Sequence, residues 1–321
     1  MFRRRFLKSN CFILAFVLLL FTFSLMSCGR EEEGLESETA VIFTDALGRE
    51  VKVEREPKRV AALIGSFADV WMLAGGRLCA SADDAWDDFG LDMGDAVNIG
   101  ATKSPNVELL LASDPDFVLA SASTAANVEM KDTLESVGIT VAYFDVDSFE
   151  DYLEMLKICT DITGRSDLYE KNGIEVKKKI DSLILEFDSG KIPESERSVL
   201  FLRASAGYIR AKNNKGTVLG EMLADLGVVN IADTDGSLLE NLSIEKIIAG
   251  EPYRIFIVQV GDDAEAVKDN VERMMNENAA WKELSAVKEG RVYYLDKKLF
   301  NLKPNARWSE AYAELCSIFT K

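Results

Sequence analysis

The sequence predicts an α/β protein of two lobes joined by one long, rigid α-helix. Two observations predict the lobes: short apolar strands alternate with amphipathic helices along the chain, and one helix–proline–strand unit occurs twice, about 140 residues apart. The first copy begins at Val107 and the second at Ile244. A third observation predicts the connection, because an amphipathic stretch over 166–188 lies between the two copies.

The elements of the first lobe begin with a hairpin over 41–53, whose turn contains Asp and Gly. A buried strand over 59–64 then leads into a helix that starts at Gly65. Ser148 caps a later helix that Gly164 closes. The remaining elements are predicted strands at 78–80, 117–120 and 141–144 and predicted helices at 107–112 and near 127–136. Such alternation is typical of a parallel sheet.

The stretch over 166–188 is predicted to be one helix, roughly 33 Å long at 1.5 Å per residue. Its apolar residues form one stripe, and Gly173 is a weak point within it. The α/β pattern then resumes, with strands at 199–202, 208–210, 255–260 and 292–295 and helices at 218–226, 244–249, 264–275 and from 309. We therefore expect a first lobe at 40–165, a linker helix at 166–188 and a second lobe at 189–321.

The N-terminus has the three parts of a secretion signal: a basic start, an apolar run and a small residue before Cys28. The run is shorter than the roughly 20 residues that span a membrane, which favours a cleaved signal over a transmembrane anchor. Leu25 and Ser27 resemble a bacterial lipobox, and this resemblance implies a signal peptide at 1–27 and lipid on Cys28. Residues 28–39 are rich in Glu and are expected to form a flexible tether.

The export route stays open on the sequence. The basic start from Arg3 to Lys8 resembles the twin-arginine consensus, whereas the very apolar run that follows favours the general secretory route. In either case we expect an extracytoplasmic protein that the lipid alone holds at the membrane.

The composition excludes several functions. There are 54 acidic and 37 basic residues, and the net charge of −17 argues against nucleic acid and against anionic lipid headgroups as partners. Histidine is absent, which argues against Ser-His-Asp and Cys-His catalysis and against His-rich metal sites. No nucleophile elbow and no phosphate-binding glycine loop is present. We therefore expect no enzyme activity, no cofactor and no metal site in a monomeric protein.

Three cysteines remain beyond Cys28, namely Cys79, Cys159 and Cys316, without the close spacing of a disulfide framework. Cys159 lies on the apolar stripe of a predicted helix, which favours a buried free thiol. One disulfide between two of the three stays open.

At this point the sequence resembles the substrate-binding proteins of ABC importers with a helical hinge, which carry ferric siderophores, haem and cobalamin. The resemblance implies two Rossmann-like lobes and a helical-backbone periplasmic binding protein. It rests on the order of several segments, namely 44–51, 57–60, 107–116, 243–245, 281–293 and Asp296.

The resemblance implies that Glu108 and Glu245 dock on the permease dimer, because in this family a glutamate at the start of the matching helix in each lobe faces permease arginines. Two rigidly spaced carboxylates would recognise a two-fold permease by both charge and geometry. The alternative is that each glutamate only stabilises its helix N-terminus through the macrodipole. Asp69 is a weaker candidate for the same docking role.

A ligand is expected between the lobes, in loops at the carboxyl ends of strands. Aromatic side chains there would stack on a ring, and arginines would pair with an anionic iron chelate. The candidates are Ser66, Phe67, Trp86, Arg203, Tyr208, Arg210, Phe300, Arg307 and Trp308. Several have packing alternatives: Tyr208 and Arg210 as the outer face of a hairpin strand, Phe300 as core, and Arg307 and Trp308 as parts of the final helix.

We expect a lipid-anchored receptor that delivers a ferric siderophore-like chelate to an ABC permease. Cobalamin and haem rank next, because the absence of histidine removes the commonest axial ligand for haem iron or the cobalt of cobalamin. A cell-surface adhesin or a sensory lipoprotein with the same fold is the rival of another class.

Overall fold

The computed structural model describes residues 39–188 and 192–320. The predicted signal peptide, Cys28 and all but the last residue of the predicted tether lie outside the described residues. Within the described residues, no helix has both the length and the apolar character that a membrane crossing requires.

The described residues form twelve strands. They are β1 (Ala40–Thr44), β2 (Glu50–Glu54), β3 (Val60–Ala62), β4 (Leu78–Ser81), β5 (Val97–Asn98), β6 (Phe117–Ser121), β7 (Thr140–Phe144), β8 (Ser198–Ala204), β9 (Ile209–Lys212), β10 (Val229–Asn230), β11 (Arg254–Gln259) and β12 (Val292–Leu295).

The α-helices alternate with these strands. They are α1 (Gly65–Leu73), α2 (Asp84–Asp87), α3 (Val107–Ala112), α4 (Ala125–Glu129), α5 (Lys131–Ser136), α6 (Phe149–Thr163), α7 (Ser166–Tyr169), α8 (Glu175–Asp188), α9 (Val218–Asp225), α10 (Ile231–Thr234), α11 (Ile244–Gly250), α12 (Ala264–Glu277), α13 (Ser285–Lys288), α14 (Lys297–Phe300) and α15 (Trp308–Phe319). The predicted helix near 127–136 is thus two helices that meet at Met130.

The first lobe contains a five-stranded parallel sheet in the order β5-β4-β3-β6-β7, and β1 and β2 form a separate antiparallel hairpin. The strand order reverses direction between β3 and β6. Ligands of open α/β sheets bind outside the carboxyl ends of the strands at such a reversal. The parallel sheet and the hairpin confirm the sequence prediction for this lobe.

The second lobe repeats the arrangement, with parallel strands in the order β10-β8-β11-β12. The predicted strand at 208–210 is β9, which pairs antiparallel with the end of β8. In both lobes the first central strand pairs with the strand that follows the Glu-bearing helix, β3 with β6 and β8 with β11. This shared pairing shows that the two copies of the helix–proline–strand unit occupy equivalent positions.

The segment predicted as one linker helix is helical in three consecutive parts. A π-helical turn at Glu170–Ile174 separates α7 from α8. Gly173 lies in this turn, and a Cβ atom at that position would meet Leu153 Cδ1 of α6 at 2.7 Å. Glycine therefore permits close packing against α6 and is more than a tolerated weak point. The role of this segment as a rigid hinge stays a prediction.

Three hydrophobic clusters form the core. One packs on the outer face of the first sheet and another on the outer face of the second. The third contains Phe117 of the first sheet, Phe201 of the second sheet and Trp308 of α15. This third cluster, the joint core, runs through both lobes, so apolar packing joins the lobes in addition to the linker.

Candidate functional site

A cleft lies at the point where the strand order of the first sheet reverses. Its larger chamber has a volume of about 500 Å³. Ile64 and Ser66 follow β3, Ser123 follows β6, and Asn301 and Lys303 of the second lobe form the opposite wall. The chamber is therefore built from both lobes, as expected for a site in which a ligand lies between them.

A smaller chamber of about 250 Å³ adjoins the larger one. Phe201 and Arg203, near the end of β8, contribute its wall in the second lobe, and Asp147 contributes from the first lobe. The two chambers share Ser123, Asn301 and Lys303, so they form one continuous cleft.

Charged side chains connect the lobes across this cleft. Lys303 Nζ lies 2.9 Å from Asp147 Oδ1, between the two chambers. At the edge of the cleft, Lys297 Nζ lies 2.6 Å from Asp88 Oδ1 of the first lobe and also pairs with Asp262 of its own lobe. The Lys303–Asp147 and Lys297–Asp88 pairs are partly buried, so salt and water screen them less than a surface pair.

Asn305 makes a further connection between the lobes. It is fully buried, its backbone is left-handed with φ +52°, and its Nδ2 donates to the Ser66 carbonyl at 2.9 Å and to Asp69 Oδ2 at 2.8 Å. Burial raises the pKa of Asp69, and the hydrogen bond from Asn305 and the charge of Arg307 act against that rise. Asp69 is therefore engaged inside the protein, which argues against the weaker docking role that the sequence suggested.

Asp84 is the partly buried carboxyl in the wall of the larger chamber. The Gly65 amide donates to Asp84 Oδ1 at 2.8 Å. Burial raises the pKa of Asp84 to about 6, although the Gly65 hydrogen bond lowers it, and the charges of Asp83 and Asp88 raise it further. The protonation of this group therefore changes close to neutral pH.

Three of the predicted ligand residues reach the cleft. Ser66 lines the larger chamber, and Arg203 and Phe300 line the smaller one. Phe300 is only 1% exposed and is also part of the core cluster that runs through both lobes, as its packing alternative suggested. Arg210 lies directly opposite Arg203 in the β8–β9 register, and its guanidinium is 5.4 Å from the centre of the Tyr208 ring. Arg210 and Tyr208 are exposed beside the cleft and are not part of its walls as the lobes stand.

Two other predicted ligand residues lie in the core, line neither chamber and need correction. Phe67 is 1% exposed and packs edge-on against Phe144, because the first turn of α1 faces the sheet. Trp308 is fully buried against Phe149 and Tyr312, because α15 lies across the joint core. The packing alternative for Trp308 was the correct one.

Two more candidates lie away from both chambers. Trp86 belongs to the short helix α2 rather than to a loop and packs against the joint core. Arg307 is exposed and forms two hydrogen bonds of 2.8 Å with Glu310 at the start of α15. This ion pair satisfies the guanidinium of Arg307 at the surface. We therefore correct Trp86 to a packing role and Arg307 to a role at the start of α15.

The cleft also contains residues that the sequence interpretation missed. Besides Asp84 these include Lys103, Ser123, Asp147 and Lys303. Ser123 and Asp147 follow the carboxyl ends of β6 and β7, so the rule that selected the other loops applies to them as well. Lys303 lies in a long segment after β12, where no local pattern indicates which lobe a side chain faces.

The two glutamates predicted to contact the permease occupy equivalent places. Each is the second residue of its helix, Glu108 in α3 and Glu245 in α11, and each is exposed. Side chains cap both helices: Asn106 accepts from the Leu109 amide at 3.0 Å, and Ser243 accepts from the Lys246 amide at 3.4 Å.

The ends of the two helices repeat each other as well. Asp114 and Glu251 both have left-handed backbones, with φ values of +49° and +39°, and each is followed directly by a proline. A left-handed residue closes the helix and proline prevents its continuation. The cap, the glutamate and the strained acidic residue thus recur together in both lobes.

Glu245 also interacts with its own helix start. Ser243 Oγ donates to Glu245 Oε2 at 2.8 Å. The backbone amide of Glu245 lowers the pKa of this carboxyl, and the Ser243 hydroxyl lowers it further. Glu245 therefore stabilises the start of its own helix, which was the alternative to docking. The two roles are compatible, because the carboxylate stays exposed.

No group of three or more Cys, Asp or Glu side chains that could hold a metal ion occurs in residues 39–188 and 192–320. In the same ranges Cys79, Cys159 and Cys316 are free. Burial raises the pKa of the Cys159 thiol and keeps it protonated, as expected for a thiol in the core.

The comparison with protein families matches residues 60–299 to the periplasmic binding protein family. The match covers both lobes, and the chain belongs to this family, whose members are substrate-binding proteins rather than enzymes. This confirms the resemblance recognised in the sequence and the two-lobed α/β class.

Two curated relatives come from Bacillus subtilis. The iron-uptake system-binding protein is 26% identical over 299 residues, covering 87% of this chain and 89% of the relative. The uncharacterised ABC transporter substrate-binding lipoprotein YvrC is 25% identical over 293 residues, covering 88% of each. Both relatives are thus named as binding proteins of uptake or transport systems, in agreement with the family match.

A solved structure shows the same fold. The siderophore-binding protein BauB, bound to ferric iron and two molecules of acinetobactin, superposes with a TM-score of 0.69 over 88% of this chain and 99% of BauB. The sequence identity is 17%, so this likeness concerns the fold alone.

Proposed function

We propose that this protein is a lipid-anchored receptor that captures a ferric chelate between its lobes and delivers it to an ABC permease dimer. The observation that carries the proposal is the continuous cleft of two chambers at the strand reversal of the first sheet, with walls from both lobes. The lipid on Cys28 and the monomeric state belong to the proposal, and the relative that is itself a lipoprotein supports the former.

A chelate fits the cleft better than a free ion does. Direct coordination of iron requires several oxygen, nitrogen or sulfur donors in one place. The described residues contain no such group of Cys, Asp or Glu side chains. The cargo would therefore bring its own donors, and the protein would contact the outside of the complex.

Haem is less well supported than an iron chelate. The described residues that line the two chambers include no His, Tyr, Met or Cys, the usual axial ligands of haem iron. Cobalamin needs no protein ligand and remains an alternative that the experiment resolves. The B. subtilis relative named for iron uptake supports iron as the cargo.

The experiment is to purify the full-length protein from its native host and record its absorbance, and then to titrate it with ferric chelates, haem and corrinoids. Ferric chelates, haem and corrinoids absorb differently, so a retained cargo identifies itself. We expect a ferric chelate with 1:1 stoichiometry. Failure to bind any of the three classes would contradict transport and favour an adhesin or a sensory lipoprotein.

Docking is tested separately by the double variant Glu108→Gln/Glu245→Gln. We expect uptake of the cargo by cells to be abolished while the affinity of the purified protein for it is unchanged, because the carboxylates lie on exposed helix starts. The matched control is Glu150→Gln/Glu265→Gln, which removes two other exposed carboxylates at the second position of α6 and α12. Normal uptake by the first double variant would overturn the docking role.

A further inference from the structure

The hairpin of β8 and β9 carries three basic residues on one face. Arg203 and Arg210 are direct partners in the antiparallel register. Lys212 is two residues beyond Arg210, so it lies on the same face, opposite Phe201. Phe201 and Arg203 line the smaller chamber, which means that this face of the hairpin is directed to the cleft.

Like charges placed directly opposite each other in a sheet are unfavourable. The described residues nevertheless include no carboxylate at ion-pairing distance from Arg203, Arg210 or Lys212. Asp147, the acidic residue of the smaller chamber, is already paired with Lys303. Three cations without an ion pair are unexpected in a protein with a net charge of −17, and only Arg203 has a carboxylate, Asp147, whose charge acts on it from beyond ion-pairing distance.

The side chain of Arg203 has unused hydrogen-bonding capacity. One of its terminal nitrogens donates to Asn301 Oδ1, and its Nε is buried without a partner. A guanidinium has five N–H donors arranged to bind carboxylates in pairs. Burial lowers the pKa of Lys212, and the charges of Arg203 and Arg210 lower it further. An anion at this face of the hairpin would pair with the unused donors of Arg203 and would reduce the repulsion among Arg203, Arg210 and Lys212.

We infer that the smaller chamber binds the anionic part of the cargo and that the cargo belongs to the class of polycarboxylate iron chelates. Arg203 and Lys303 would contact its carboxylates within the chamber, and Arg210 and Lys212 would neutralise those that remain outside it. Ile64, Phe89 and Leu302 in the larger chamber would contact less polar parts. This inference rests on the proposed function and narrows it to one charge class of ligand.

The test compares two ferric chelates of different charge on the full-length protein. The probes are ferric citrate, an anionic carboxylate chelate, and ferrichrome, a neutral hydroxamate chelate, and tryptophan fluorescence reports binding. We expect ferric citrate to bind more tightly than ferrichrome, with an affinity that decreases as NaCl is raised. Tighter binding of the neutral chelate, or an affinity for ferric citrate that salt does not change, would overturn the inference.

Variants of the exposed Arg210 and the half-buried Lys212 refine the test. Arg210→Gln and Lys212→Gln should each weaken ferric citrate binding by about tenfold, the loss expected when a charged hydrogen-bond donor is removed. Arg210→Gln should also raise the melting temperature of the ligand-free protein, because it removes a like-charge pair. A purely structural role for Arg210 would instead lower the melting temperature.

The control is Lys268→Gln on α12, whose residues Val267 and Val271 pack on the outer face of the second sheet. This variant should bind ferric citrate as the unchanged protein does, and an equal loss would show that only net charge matters and would contradict a defined site. If no chelate, haem or corrinoid binds, the proposed function itself fails. If ferrichrome, haem or a corrinoid binds and ferric citrate does not, the proposed function stands and only the inferred charge class of the cargo is wrong.

Discussion

Asp84 carries its charge in surroundings that penalise it. A carboxyl whose pKa in the folded protein is raised to about 6 takes up a proton between pH 6 and pH 4 that the unfolded chain takes up only at lower pH. The folded state therefore gains stability as the pH decreases through this range. Above pH 6 the full penalty of the buried charge is present.

We expect Asp84→Asn to raise the free energy of unfolding at pH 7.5 by on the order of 2 kcal/mol and to have little effect at pH 4. Asparagine keeps an oxygen that can accept from the Gly65 amide, so the variant removes the charge and preserves the hydrogen bond. Urea unfolding at the two pH values measures the difference. Asp87→Asn, at an exposed position of the same helix, controls for the loss of one charge, and a gain that is equal at both pH values would contradict the prediction.

Side-chain direction limits what the sequence predicts about the site. The rule that ligands bind at the carboxyl ends of strands correctly led to the loops that contain Ser66 and Arg203. It did not separate Phe67 and Trp308, which face the core, from residues that face the cleft. That separation depends on how α1 and α15 pack against distant elements, which local periodicity does not contain.

At the scale of elements, the contact between α1 and α2 depends on one glycine. A Cβ atom at Gly65 would lie 2.5 Å from the Ala85 amide nitrogen and 2.7 Å from the Asp84 carbonyl carbon. Both are backbone atoms, so a side-chain rotation cannot relieve the clash. The close approach also brings the Gly65 amide to the Asp84 carboxyl in the wall of the cleft.

Gly65→Ala should therefore lower the free energy of unfolding by about 2 kcal/mol or more, because the two helices must move apart. It should also weaken cargo binding, since Asp84 and Ser66 on either side of this contact line the larger chamber. The matched control is Gly207→Ala, where a Cβ atom would meet nothing within 4 Å, and its effect should stay within about 0.5 kcal/mol. Equal stabilities of the two variants in urea unfolding would contradict this role for Gly65.

Elements were predictable where the signal is local. The caps, the apolar stripes and the prolines after α3 and α11 lie within a few residues of one another, and both helices occur where they were predicted. The π-helical turn around Gly173 was not predicted, whereas a hairpin strand was one of the alternatives for Tyr208 and Arg210 and is present as β9. The turn depends on the contact of Gly173 with Leu153 of α6, which lies 20 residues earlier and which no local pattern indicates.

At the scale of the whole molecule, the lobes share one core. Trp308 of α15 packs against Phe149 of the first lobe at a ring distance of 6.2 Å. Phe319, at the other end of α15, packs against Phe256 of the second sheet at 5.7 Å. Together with the linker, this helix connects the lobes by apolar packing, and such packing resists gradual deformation. Movement of the lobes on cargo binding should accordingly be small.

A shared core also predicts that the lobes unfold together. Calorimetry of the cargo-free protein should give one transition in which the calorimetric and van't Hoff enthalpies agree. Trp281→Ala is the informative variant, because Trp281 is buried in a cluster that belongs to the second lobe alone. The cavity should cost about 3–5 kcal/mol and shift the single transition as a whole. If the lobes were independent, this variant would separate the trace into two transitions and leave that of the first lobe at its original temperature.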